Sequence, residues 1–181
     1  MSTQKGSTSR SSTVFERTYR THVEELWALW TTKEGFESWW GAEGSRVEVH
    51  TIEAREGGTL HYDMIAEAAV DLATRDQIGL APSSSVRARF TEFRPYRRLV
   101  LAHVMDFMPG VKPYEQLIAV DFFPDGDTVR MVTTLEPLHN EEFTQISIRV
   151  FTSQLDMLER RFSVADRASG AAALPLSRQT T

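Results

Sequence analysis

Residues 140–162, NEEFTQISIRVFTSQLDMLERRF, decide how the rest of the chain is read. Phe143, Ile146, Val150, Phe151, Leu155, Leu158 and Phe162 recur there at three- and four-residue spacing. That period puts them on one face of a long helix. Asn140 is placed to cap its start, and Glu141 and Glu142 lie where the helix dipole is positive. Arg160 and Arg161 lie near the other end, where it is negative. A long helix with a single apolar stripe needs one broad apolar partner.

Working outward, that partner reads as strands. Residues 14–20 suit a first strand. Thr21 with Glu24 three residues on forms a capping box, and Val23, Leu26, Trp27 and Trp30 make one face of a first helix. A second short helix fits residues 33–40, with Phe36, Trp39 and Trp40 clustered and Gly41 ending it. Residues 46–53 alternate, with Val47, Val49 and Thr51 set against Glu48, His50 and Ile52. Glu56-Gly57-Gly58 reads as a hairpin turn. Residues 59–65 put Leu60, Tyr62 and Met64 on one face. Residues 66–85 read as an irregular segment with a helical turn near 70–74, a solvated Ser83–Ser85 loop, and the length to form a lid. Further strands fit residues 86–93, 98–107, 114–123 and 128–135, the last two joined by a turn at Pro124-Asp125-Gly126-Asp127. An antiparallel sheet solvated on one face needs cover on the other. The 140–162 helix is the element long enough to supply it, so the fold class is α+β.

Composition bounds the function. The 181 residues carry 20 Lys and Arg against 25 Asp and Glu, a net charge of −5. A pI near 5.6 speaks against nucleic acid as a partner. The absence of Cys excludes disulfides, thiolate metal sites and a thiol nucleophile, and fits a cytoplasmic protein. Apolar stretches are far shorter than the roughly 20 residues a bilayer needs, so no membrane partner is expected. Residues 13–164 read as one domain, between a Ser/Thr-rich tail (1–12) and an Ala/Ser/Thr-rich tail (165–181).

The order of elements matches the helix-grip fold: a curved antiparallel sheet of six or seven strands wrapped on a long C-terminal helix, with two short helices after the first strand. Several motifs resemble the SRPBCC (START-like) superfamily and, within it, the activator-of-heat-shock-ATPase-homologue family. They are Val23-xx-Leu26-Trp27, Phe36-xx-Trp39-Trp40-Gly41, Arg55-x-Gly57-Gly58-Thr59, Arg98-Leu99-Val100, Pro124-x-Gly126 and Gln154-Leu155-Asp156-x-Leu158. The tract from Met131 to Phe143 adds to them, and the resemblance runs from about Val14 to Phe162. It implies a cavity between sheet and last helix, often for apolar ligands. It also implies varied roles: lipid or hormone carriage, cyclase or aromatase chemistry, or stimulation of the ninety-kilodalton heat-shock chaperone. It implies pairing into a homodimer as well, but no universal catalytic set, and no catalytic residue is assigned. Where the family usually has Gly-Trp, this chain has Val150-Phe151, which bears directly on cavity size.

If Leu60, Tyr62 and Met64 face the helix, so do Leu99, Leu101, His103, Met105 and Phe107 on the next register, then Gln116, Ile118, Val120 and Phe122, then Val129, Met131, Thr133 and Leu135. The concave face is then apolar with polar points at Tyr62, His103, Gln116 and Thr133. The candidate ligand-binding residues are Trp39, Trp40, Tyr62, Met64, His103, Met105, Gln116, Met131, Val150 and Phe151. His103 has two readings: a core histidine hydrogen-bonded to backbone or Gln116, or an acid, base or ligand-binding group. Tyr62, Trp39 and Trp40 likewise read as packing residues or as ligand contacts. His139-x-Glu141 with Asp106 lacks the i, i+4 His pair of a helical zinc site, so neither metal nor cofactor is expected. There is no nucleophile elbow and no phosphate loop. Arg87, Arg89, Arg94, Arg97 and Arg98 read as a solvated sheet face. The function expected is binding of a small, mostly apolar ligand in one pocket of at least ~300 Å³. The alternatives are a chaperone-associated interaction domain and a cyclase- or hydrolase-type enzyme using His103.

Overall fold

The computed structural model describes residues 11–41, 43–77 and 79–171. The chain runs β1 (Thr13–Arg20), α1 (Val23–Thr31), α2 (Lys33–Glu37), β2 (Ser45–Ile52), β3 (Thr59–Ala66), α3 (Ala69–Gln77), β4 (Ser83–Arg94), β5 (Arg98–Met105), β6 (Tyr114–Asp125), β7 (Thr128–Leu135) and α4 (Glu141–Ala171). The strands form one antiparallel sheet in the order β1-β7-β6-β5-β4-β3-β2. β1 pairs with the last strand rather than with β2, because α1 and α2 carry the chain from one edge of the sheet to the other. This is the α+β helix-grip architecture that the periodicities predict.

Register follows burial. Leu60 and Tyr62 on β3, Val86, Ala88 and Phe90 on β4, and Ile118, Val120 and Phe122 on β6 are buried at alternating positions, whereas the central β5 buries Leu99 to His103 without a break. The outer face of the sheet is charged. There Arg89 pairs with Glu115 at 3.2 Å, Arg98 with Glu92 at 2.8 Å and Asp121 at 2.7 Å, Arg94 with Glu92 at 2.7 Å, and Arg87 with Asp106.

α4 begins where Asn140 predicts: the Phe143 amide donates to Asn140 Oδ1 at 2.9 Å. Phe151, Leu155, Leu158 and Phe162 are buried, with Phe151 5.1 Å from Phe15 and Phe162 5.4 Å from Tyr19 between ring centroids. Phe143, Ile146 and Val150, from the same stripe, are only half-buried. The C-terminal part of the stripe is therefore seated on the core around β1, while the N-terminal part stands off it.

Some local expectations need correction. Thr21 does not form a capping box with Glu24: its hydroxyl donates to Glu25 at 2.6 Å, and α1 starts from an N-cap at His22. α2 ends at Glu37, short of the two tryptophans. The pairing of β2 slips between Val49 and Thr51, so Thr51 is exposed and Ile52, pairing with Leu60, packs on the core. A bulge reverses alternation in this way. Residues 66–85 hold the nine-residue α3 rather than a single turn. Ser83–Ser85 opens β4, with Ser84 buried and accepting from Arg75 at 3.0 Å. The tail expected from residue 165 starts as helix, since α4 runs to Ala171. Residues 1–10 and 172–181 of the two expected tails lie outside the described residues.

The loop after β2 docks on β4: the Gly57 amide donates to Phe90 O at 2.7 Å, and the Phe90 amide donates to Gly58 O at 2.9 Å. A Cβ on Gly58 would lie 1.9 Å from the Glu53 carbonyl oxygen, whereas one on Gly57 (φ +74°) would meet nothing within 4 Å. Gly58→Ala should therefore cost at least about 2 kcal/mol by urea unfolding, and Gly57→Ala about 1 kcal/mol, the left-handed backbone penalty alone. Equal costs would contradict the clash.

Candidate functional site

The stand-off of the first half of α4 opens two adjoining chambers against the sheet. The inner chamber has a volume of about 120 Å³ and is lined by Trp40, Tyr62, Met64, Val86, His103, Met105, Phe107, Gln116, Ile118, Leu135, Ser147, Val150, Phe151 and Gln154. The outer chamber, about 180 Å³, is lined by Ser45, Met64, Asp71, Arg75, Leu80, Phe107, Met108, Leu138, Phe143, Ile146, Ser147 and Val150. Met64, Phe107, Ser147 and Val150 belong to both walls. Neither chamber alone reaches the single ~300 Å³ pocket expected from sequence. The branched side chain of Val150 lies in the wall that both share.

Of the candidate residues, Trp40, Tyr62, Met64, His103, Met105, Gln116, Val150 and Phe151 come together around the inner chamber. Trp39 does not: it is buried, with its indole donating to Leu29 O at 2.9 Å and its ring 4.8 Å from Trp30. Met131 does not either, being packed into the core at 1% exposure. Thr133, expected as a polar point of the concave face, is sealed in the core, outside both walls.

His103 sits on β5 between Ala88 and Gln116 in the sheet. Its ring is stacked 6.0 Å from Trp40 at an interplanar angle of 9° and lies edge-on to Tyr62 at 6.2 Å. Neither ring nitrogen has a hydrogen-bond partner among the described residues. The bond to backbone or Gln116 foreseen for a core histidine is not made: the Gln116 amide instead donates to Glu136 O at 2.7 Å. Burial alone pushes the His103 pKa down to about 4, so the imidazole is neutral near pH 7. The Tyr62 hydroxyl accepts from Trp40 Nε1 at 3.0 Å, and burial raises its pKa.

The sequence reading missed Gln154 and Ser147 as wall residues. Gln154 is 2% exposed and lines the inner chamber. A polar residue three places after Phe151, on the helix face that carries the apolar stripe, was the available signal. In the outer chamber, Arg75 lies 3.7 Å from Asp71 and donates to Ala81 O at 3.0 Å. Asp71 in turn accepts from the Ser45 hydroxyl. No group of three or more His, Asp or Glu able to hold a metal stands together among the described residues.

The buried imidazole has a signature in solution. The unfolded chain protonates His103 near pH 6.5, whereas the folded chain does so only near 4. The unfolded state therefore binds the extra proton in that window, and stability falls as pH drops through it. Between pH 7 and 4.5 the wild type should lose about 2–3 kcal/mol more than His103→Leu, measured by urea unfolding. Equal losses in the two proteins would contradict a desolvated imidazole.

Comparison with known proteins agrees with this architecture. No curated protein matches the chain. Among solved structures, one from Chromobacterium violaceum superposes with a TM-score of 0.65 at 14% identity, covering 84% of this chain and 98% of that one. The AHSA1 protein from Silicibacter pomeroyi does so with a TM-score of 0.65 at 18% identity, covering 86% and 99%. One from Staphylococcus epidermidis gives a TM-score of 0.65 at 17% identity over the whole of both chains. At these identities the likeness is one of fold. The sequence profile described as "Activator of Hsp90 ATPase homolog 1-like protein" matches residues 20–163, so the chain belongs to that family.

Proposed function

We propose that the protein binds a small, mostly apolar ligand between the sheet and the first half of α4. The observation that carries this reading is a chamber with a mostly apolar wall in which the nitrogens of His103 are left unpartnered. A protein interior normally closes such space, and an unsatisfied buried polar group costs about 1–3 kcal/mol. Holding both features open is costly to stability and is repaid when a ligand fills the space.

The alternatives have less support. A catalytic reading needs a second titratable group beside His103. Among the described residues, no carboxylate and no second imidazole line the inner chamber. Tyr62 is there, but burial keeps its hydroxyl from ionising. A chaperone-docking reading needs a contiguous exposed apolar patch. The large exposed apolar side chains among the described residues are Val14, Leu72, Tyr96 and Phe123. Tyr96 leans on Trp27 at 5.8 Å, and the Arg130 guanidinium covers the Phe123 ring at 4.2 Å.

Native mass spectrometry of the full chain, purified from cells without organic solvent, should show a non-covalent adduct that denaturation releases. Val150→Trp places a large ring between the chambers and should abolish the adduct while the protein stays folded. A bare-chain mass for the wild type, with no gain in Tm on adding alkylbenzenes, would contradict the reading.

A further inference from the structure

The walls also say what chemistry the ligand carries, if the ligand-binding reading above holds. The polar groups of the inner wall, Tyr62, His103, Gln116, Ser147 and Gln154, are all uncharged side-chain types except the imidazole, and no Lys, Arg, Asp or Glu is among the lining residues. Tyr62 has already accepted from Trp40, and the Gln116 amide is engaged with Glu136. Both His103 nitrogens keep their hydrogen-bonding capacity, and the Gln154 side chain lies in the same wall. The two charges of the outer chamber, Asp71 and Arg75, answer one another and the groups around them. An ionised ligand would enter either chamber without a counter-charge, at a desolvation cost nothing repays.

Size and lining sort the two ends. A dry cavity of roughly 150 Å³ holds benzene, so the inner chamber, at about 120 Å³, takes about one ring. Trp40, Tyr62, Phe107 and Phe151 offer that ring aromatic faces and edges. The outer chamber, at about 180 Å³, continues over Leu80, Met108, Leu138, Phe143 and Ile146, which suit an aliphatic chain. Met64, unbranched and adaptable, lies in the wall both share.

We infer that the ligand is an uncharged, elongated amphiphile, with a hydroxyl-bearing ring seated beside His103 and Gln154 and an aliphatic chain running past Met64 and Val150 into the outer chamber. The hydroxyl satisfies a neutral imidazole, which both donates and accepts, and no charge is carried into the wall.

Isothermal titration calorimetry of the full chain near pH 7 tests this with para-pentylphenol, pentylbenzene and para-pentylbenzoate. The phenol should bind at least about tenfold tighter than the hydrocarbon, and the benzoate weakest. In His103→Leu the phenol should lose its advantage while the hydrocarbon still binds. In Ile146→Trp, which fills the outer chamber only, para-pentylphenol should bind no better than phenol. Equal binding of phenol and hydrocarbon, or tightest binding of the benzoate, overturns the inference and leaves the apolar-ligand reading standing. A chain-length preference that survives Ile146→Trp overturns the elongated placement. Failure of all three probes to bind the wild type overturns both readings. If His103→Leu does not fold, the three-probe comparison on the wild type decides the head-group chemistry alone.

Discussion

The seating of one half of α4 governs the rest of the structure. Phe151, Leu155, Leu158 and Phe162 bury the C-terminal part of the stripe against Phe15, Tyr19 and the core. Ion-pair contacts of Arg17 with Asp156 at 3.7 Å and Glu159 at 3.9 Å flank that seat at the surface. Each buried large apolar side chain contributes about 1.5–3 kcal/mol, so four of them outweigh exposed pairs worth less than about 1 kcal/mol. With one half fixed, the other is held over the sheet by its Asn140 cap and by the Leu138 amide donating to Thr144 Oγ1 at 3.0 Å. The space beneath it follows from the angle at which a rigid helix leaves its seat.

That space is chemically uneven. Strands β5 and β6 deliver His103 and Gln116 to it from paired sheet positions, β3 adds Tyr62 from beyond β4, and α4 delivers Ser147 and Gln154 from above. The neutral polar groups and aromatic rings therefore gather at the inner end, and most of the aliphatic side chains at the outer, beside the paired Asp71 and Arg75. Such a gradient orients a bound molecule end to end, where a uniformly apolar void would select by volume alone. Fold likeness to other members of the family does not supply this gradient, because it resides in individual side chains.

Most of the architecture was legible in the sequence, for a physical reason. Strands with one buried face alternate, and the helix stripe recurs at 3.6 residues, so β3, β6, β7 and α4 could be drawn from periodicity, while β5 reads as a continuous apolar run. The misses fall where local order is interrupted. The slip near His50 reverses β2 without changing its composition, and the Ser-rich start of β4 carries no apolar alternation. α3 is short and mostly polar, so its nine residues offer few apolar positions from which to read a helix. At the site, alternation brings Tyr62, Met64, His103, Met105 and Gln116 to the inner wall, whereas Trp39 and Met131 lie in the core outside it. Nothing in sequence tells which of two adjacent tryptophans turns inward, or how far along a strand the helix overlies. His103 reads from sequence either as a core histidine or as a ligand-binding group, and its lack of partners depends on where the Gln116 amide points.

Xenon tests the central claim most directly, since it enters dry apolar cavities and is located by its scattering. In a crystal of the protein pressurised with xenon, the account predicts an electron-density peak between Met64, Phe107 and Val150, beneath the first half of α4. No peak there, with Val150 and Phe151 packed down onto β5 and β6, would contradict it.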